Sequence, residues 1–180
     1  MASATDHLRH ALNWLNLTTP LGLAVARLGG ARIRRTPARL FAAEGYRPRF
    51  PAAGAFTIGD VVITATDIDS LERRTPGVLG HERTHAAQYA VAGVWFLPAY
   101  LAGSAWSLLR AGDPATRNPL ERHAGLVTGG YVHPVTGARL GAAWSWPRTG
   151  VLAWLRRSIG RSGAERIGSP DDADVGGAAS

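Results

Sequence analysis

The sequence predicts an α+β fold, with an N-terminal β-hairpin or small sheet packed on a mainly helical core. Three observations carry this. "AFTIGDVVIT", Ala55 to Thr64, alternates around Gly59-Asp60 as two strands do when joined by a two-residue turn with glycine first. The residues after it read as a succession of helices. A chain of 180 residues at 46% hydrophobic content can bury one sizeable core, and it shows no internal repeat. The expected organisation is a single domain over residues 1–160, with its core at about 55–127, and a disordered tail over 161–180. "SGAERIGSPDDADVGGAAS" is small, polar and unpatterned there.

The N-terminal region places Leu12, Trp14, Leu15 and Leu17 on one short amphipathic helix that Pro20 ends or kinks. Packing on the core is the favoured expectation and lying on a membrane surface the other. Asp6 stands where a signal peptide would be basic, so no cleaved signal is expected. In the hairpin, the alternation pairs Ile58 with Val61 and Phe56 with Ile63, all four facing one core. A short helix is expected near Asp69 to Arg74. Pro76 and Gly77 then break the chain before a helix from about Val78 to Ala92.

"YAVAGVWFLPAYLAGSAWSLL", Tyr89 to Leu109, is uncharged and at about 20 residues could cross a bilayer. Gly93 and Pro98 divide it, and the expectation is two buried helices, the second starting near Pro98 and stopping at Gly112. A true span would also strand everything after Arg110 on the far side from His81 and His85.

Those two histidines belong to "GVLGHERTHAAQYA", in which His81, Glu82 and His85 form His-Glu-x-x-His. On a helix, residues four apart share a face with Cβ atoms about 5–6 Å apart, so both imidazoles can converge on one ion. With 6 histidines and 5 glutamates in 180 residues, chance supplies the pattern only about 0.006 times. A catalytic zinc takes three protein ligands, so one more donor is needed. "NPLERHAG" offers Glu121, on a helix beginning at Pro119, with His123 and His133 as weaker candidates. Asn118 and Glu121 also fit a capping box, so the sequence leaves Glu121 two roles.

Composition narrows the chemistry. The absence of cysteine removes disulfides, thiolate catalysis and every cysteine-based zinc site. The net charge of +7 is carried by arginine alone, seven of them between Arg27 and Arg49, and a second basic group runs Arg148, Arg156, Arg157, Arg161 and Arg166. No nucleic-acid-binding motif accompanies this charge, so no nucleic-acid partner is expected. A solvated basic face and attraction to anionic lipid both account for it. The expected location is cytoplasmic, with peripheral membrane association left open; six tryptophans, Trp14, Trp95, Trp106, Trp144, Trp146 and Trp154, suit an interface.

"HERTHAAQY" resembles the zincin metallopeptidases, and with "NPLERHAG" it is similar to their gluzincin branch, whose third ligand is a helical glutamate. It is similar also to small bacterial proteins carrying His-Glu-x-x-His-x-x-Gln, a Pro-x-Tyr run like "LPAY", and a glutamate in an Asn-Pro-x-Glu-like helix. The resemblance spans about Phe56 to Gly125. It implies a zincin-like core, Zn²⁺ held by His81, His85 and Glu121, Glu82 as general base, and a peptide or protein substrate. Gln88 is a candidate to orient a ligand. Tyr131 and His133, in "GGYVHPVTG", are candidate oxyanion partners that also read as plain hairpin residues. Arg122, His123 and Ala124 follow Glu121 where gluzincins carry an acidic residue. A zinc-binding scaffold without turnover and a membrane-surface module with incidental histidines are the alternatives.

Overall fold

The computed structural model describes residues 2–48, 54–133 and 135–138. The expected tail, the second basic group and Trp144, Trp146 and Trp154 lie outside the described residues. The architecture is α+β, built on a four-stranded sheet: β1 (Arg32–Arg35), β2 (Phe41–Glu44), β3 (Phe56–Ile58) and β4 (Val61–Thr64), ordered β1-β2-β4-β3. β3 and β4 pair antiparallel with Phe56 opposite Ile63 and Ile58 opposite Val61, the expected register. Gly59 takes φ +59° at the turn, and a Cβ there would lie 2.4 Å from the backbone of Thr19, so glycine serves both the turn and the packing.

The β1–β2 hairpin is an addition to the expected fold. "RIRR" reads as a basic stretch because β1 is an edge strand with three exposed arginines around Ile33. β2, "FAAE", is alanine-rich, and its strand character comes from pairing with β1 and, in parallel, with β4.

Strand alternation gives the sheet two apolar faces. Phe41, Ala43, Val61 and Ile63, with Phe56 and Ile58, pack on one side with Ala26 and Leu23. Leu40, Ala42 and Val62 pack on the other with Ile68 and Ala86. The first face is covered by α2 (Thr18–Leu28), the second by α3 (Ile68–Arg74) and α4 (Val78–Ala92). The bounds of α4 are the expected ones. It starts after Gly77 at φ +89° and ends at Gly93.

Two expectations about the apolar segments are corrected. α1 (Ala4–Leu15) ends at Asn16, and Pro20 lies in the first turn of α2, where a missing N–H is tolerated, so proline opens a second helix rather than closing the first. α1 also does not bury its leucines. Its inward stripe is Asp6, Arg9 and Asn13, while Trp14, Leu15 and Leu17 are exposed. The reason is Asp60, wholly buried at the β3–β4 turn: it accepts from Arg9 Nε at 2.9 Å and Asn13 Nδ2 at 2.9 Å, pairs with His10 Nδ1 at 2.6 Å, and its N–H donates to Thr19 Oγ1. Arg9 also bonds Asp6, which Arg83 of α4 meets at 3.0 Å.

The second correction concerns the run after Tyr89. A 3-10 turn (Gly93–Trp95) leads into α5 (Phe96–Ala111), capped by Gly112; the helix starts before Pro98, which sits harmlessly in its first turn. α5 buries one stripe only, Phe96, Ser104, Ser107 and Ala111. Ser107 Oγ accepts the Arg117 N–H, and Ser104 Oγ accepts from Asn118 Nδ2, which explains why serines point inward and leucines outward. α6 (Pro119–Ala124) then crosses beside α4.

Candidate metal centre

The geometry begins with α4, where four-residue spacing stacks His81 over His85 on the face toward α6. Their Nε2 atoms are 3.0 Å apart. Glu121 of α6 brings Oε2 to 3.2 Å from His81 Nε2 and 3.5 Å from His85 Nε2. All three side chains are buried, and among the described residues these donor atoms form the group that could hold a metal ion. Four-coordinate zinc at bonds of about 2.0–2.2 Å holds neighbouring ligand atoms about 3.3–3.6 Å apart, close to the edges of this triangle.

The other ring nitrogens fix the tautomers. His81 Nδ1 lies 3.0 Å from the Gly125 carbonyl, which can only accept, so Nδ1 carries the proton. His85 Nδ1 lies 2.8 Å from Gln88 Oε1; the Gln88 amide is oriented by donating Nε2 to the Leu120 carbonyl. Each neutral imidazole therefore turns a bare Nε2 to the centre. Among the described residues, Glu121 Oε2 is buried without a hydrogen-bond partner. Three acceptors facing one point in a buried site repel unless a proton or a metal cation lies among them. The donor set, two imidazoles and a carboxylate, is one that zinc accepts.

Glu121 owes its orientation to tyrosines. Tyr100 of α5 and Tyr131 both donate to Oε1, the latter at 3.2 Å, leaving Oε2 for the histidines. Burial alone would raise the Glu121 pKa, but an imidazole that takes up a proton beside Oε2, together with the Tyr100 hydroxyl, holds the carboxyl well below the usual carboxylate range. His85 moves the other way: burial opposes its charge, yet Glu121 wins and raises its pKa. The capping-box role is excluded by geometry. Asn118 caps α6 by accepting the Leu120 N–H, and its own N–H goes to the Ala115 carbonyl rather than to Glu121.

Glu82, about 100° further round α4, faces the sheet instead of α6. It is buried, accepts from Thr57 Oγ1 at 2.7 Å, and its pKa is raised by burial against the pull of His85 and His81. Thr57 has its place by strand alternation: Phe56 and Ile58 face α2, so Thr57 faces α4. Gly129 closes the other flank, since a Cβ there would lie 2.6 Å from the His81 ring.

The remaining candidates sort by contact. Gln88 bonds His85 and Leu120, and also reaches His123 Nδ1 at 3.0 Å, so His123 sits outside the triangle. Tyr131 bonds Glu121. His133 accepts the N–H groups of Val135 and Thr136 within its own turn. Sequence reasoning missed Tyr100 and Thr57. Thr57 was findable from the hairpin alternation; Tyr100, fifteen positions from His85, leaves only the Pro-x-Tyr run as a signal. A cleft of about 520 Å³ between α1 and the β1–β2 turn, lined by His7, His10, Arg35 and Arg39, includes none of the cluster. The chain matches no family model, no curated protein and no solved structure.

Proposed function

We propose that the chain is a zinc-dependent hydrolase of peptide bonds built on a zincin-like core, with His81, His85 and Glu121 as the zinc ligands and Glu82 as general base. The observation that carries the reading is the buried, unpartnered Oε2 of Glu121 facing two bare imidazole nitrogens. Zinc, when bound, supplies Lewis acidity toward a carbonyl and lowers the pKa of water to about 7. The chain's own residues do the rest. Tyr100 and Tyr131 fix the Glu121 carboxylate, Gln88 and the Gly125 carbonyl fix the imidazole tautomers, and Glu82 receives the proton that water gives up. Its burial raises its proton affinity, as a base working near neutral pH requires.

One observation favours a second reading, a zinc-binding scaffold without turnover: His81, His85 and Glu121 are all nearly inaccessible, at 2%, 6% and 1% exposure. A substrate carbonyl reaches them only if a covering side chain moves. Glu82→Gln separates the readings. The catalytic reading expects this variant to keep zinc and fold while losing peptide hydrolysis shown by the wild type. A zinc-loaded wild type that cleaves no member of a diverse peptide library leaves the scaffold; a Glu82→Gln protein as active as wild type removes Glu82 as base.

A further inference from the structure

We propose that two adjoining helical turns form a docking surface for an anionic lipid bilayer, independent of the metal-centre reading. The α1–α2 turn exposes Leu15, Leu17 and Leu21, with Leu17 66% exposed. The α4–α5 turn exposes Val91, Val94 and Trp95, at 90%, 57% and 74%. The two turns touch: Asn16 Nδ2 donates to the Tyr89 carbonyl at 3.0 Å, and a Cβ on Gly93 would lie 3.6 Å from that of Asn16. Leu97, Leu101 and Trp106 continue the exposed apolar surface along α5.

This exposure is built in. α1 and α5 both turn hydrogen-bonded polar stripes inward, Asp6-Arg9-Asn13 and Ser104-Ser107, and thereby send their leucines and tryptophans outward. Leu17 is further held at φ +65°, a backbone region that favours glycine, with its side chain exposed at the tip.

Charge identifies the partner. The exposed stretches 15–21 and 91–109 carry no charge, and the charged residues nearest them in sequence are all arginines, Arg9 and Arg27 for the first and Arg83 and Arg110 for the second. An uncharged apolar tip with tryptophan, flanked along the chain by arginine and with the Arg110 guanidinium 5.2 Å over the Trp106 ring, fits the headgroup and acyl boundary of an anionic membrane. Val78–Ala111 has the length and apolar composition of a span, but it is not straight: the Tyr89 and Phe96 rings lie 4.1 Å apart and those of His85 and Tyr100 5.9 Å. Fifteen residues of straight helix would separate the latter pair by about 22 Å. The chain turns back at Gly93 and offers its turn to the surface.

The test is flotation of the full chain with vesicles of phosphatidylcholine alone and with roughly a third phosphatidylglycerol. The expected result is binding to the anionic vesicles, weakened by salt, and reduced by about tenfold or more in Val94→Glu/Trp95→Glu. Val135→Glu, at an exposed valine elsewhere, should bind as wild type. Leu17→Ser and Trp95→Ser give the milder versions if the double variant misfolds, with melting curves run alongside. No binding to anionic vesicles overturns the proposal. So does undiminished binding by folded Val94 and Trp95 variants, which would move attachment to residues beyond 138, and so does a wild-type dimer that these variants dissociate, which would make the face self-associating.

Discussion

At the scale of single residues, the account rests on which lone pairs face which. Tyr100 donates to the carboxylate oxygen that the histidines do not face, so Tyr100→Phe should leave the fold intact and weaken zinc binding by about 10–100-fold, measured by competition with a chelating dye. Tyr131→Phe should act in the same direction. Protonation gives a second test. His85 has its pKa raised above the ordinary 6.5 in the metal-free protein, so the stability of its pairing with Glu121 is present below about 6.5 and lost as pH rises through the raised value. Glu121 is lowered from 4.5, so its contribution is present above that value and lost toward acid. Metal-free protein should therefore melt at lower temperature at about pH 8 than at about pH 6, whereas zinc affinity should rise over the same interval as the competing proton leaves. A flat metal-free profile would contradict the pairing. Two of the three donors were legible because His-Glu-x-x-His fixes them on one helical face. The choice between ligand and cap for Glu121 was not, because both need a glutamate at the third position of a helix, and only the direction of its side chain separates them.

At the scale of elements, helix and strand positions followed from periodicity, but which face is buried did not always follow. In β3–β4 the expected register holds because apolar residues meet apolar neighbours, and in α4 the expected bounds hold between Gly77 and Gly93 although its buried face carries His81, Glu82 and His85 beside Val78, Ala86 and Tyr89. In α1 the rule inverts because Asp60, unremarkable in sequence as a turn residue, collects Arg9, His10 and Asn13 from 47 or more positions away. Such a network is invisible to a reading along one helix. It predicts that Asp60→Ala, which orphans the buried Arg9 Nε while Asp6 still pairs the guanidinium, costs about 1–3 kcal/mol in denaturant unfolding, more than an ordinary turn substitution. At α6, Asn118→Ala should cost about 0.5–2 kcal/mol as a lost cap and leave the Glu121 oxygens where they are. A large loss of zinc affinity in that variant would show that the cap, and not the tyrosines, orients the carboxylate.

At the scale of the whole molecule, the sheet and the helices meet around the cluster: β3 supplies Thr57 to Glu82, α4 the motif, α5 Tyr100 and α6 Glu121. Arg83, between the motif's glutamate and its second histidine, ties the same helix to Asp6 of α1. A buried set of like-signed lone pairs at this junction needs either a proton on one imidazole or a cation among them, since burying unpaired polar atoms costs stability. The most direct test is elemental analysis of protein expressed in zinc-replete medium, wild type beside His81→Ala and Glu121→Ala. The account predicts about one zinc per wild-type chain and little in either variant. Wild-type protein that emerges without metal, or variants that hold zinc as tightly as wild type, would contradict it.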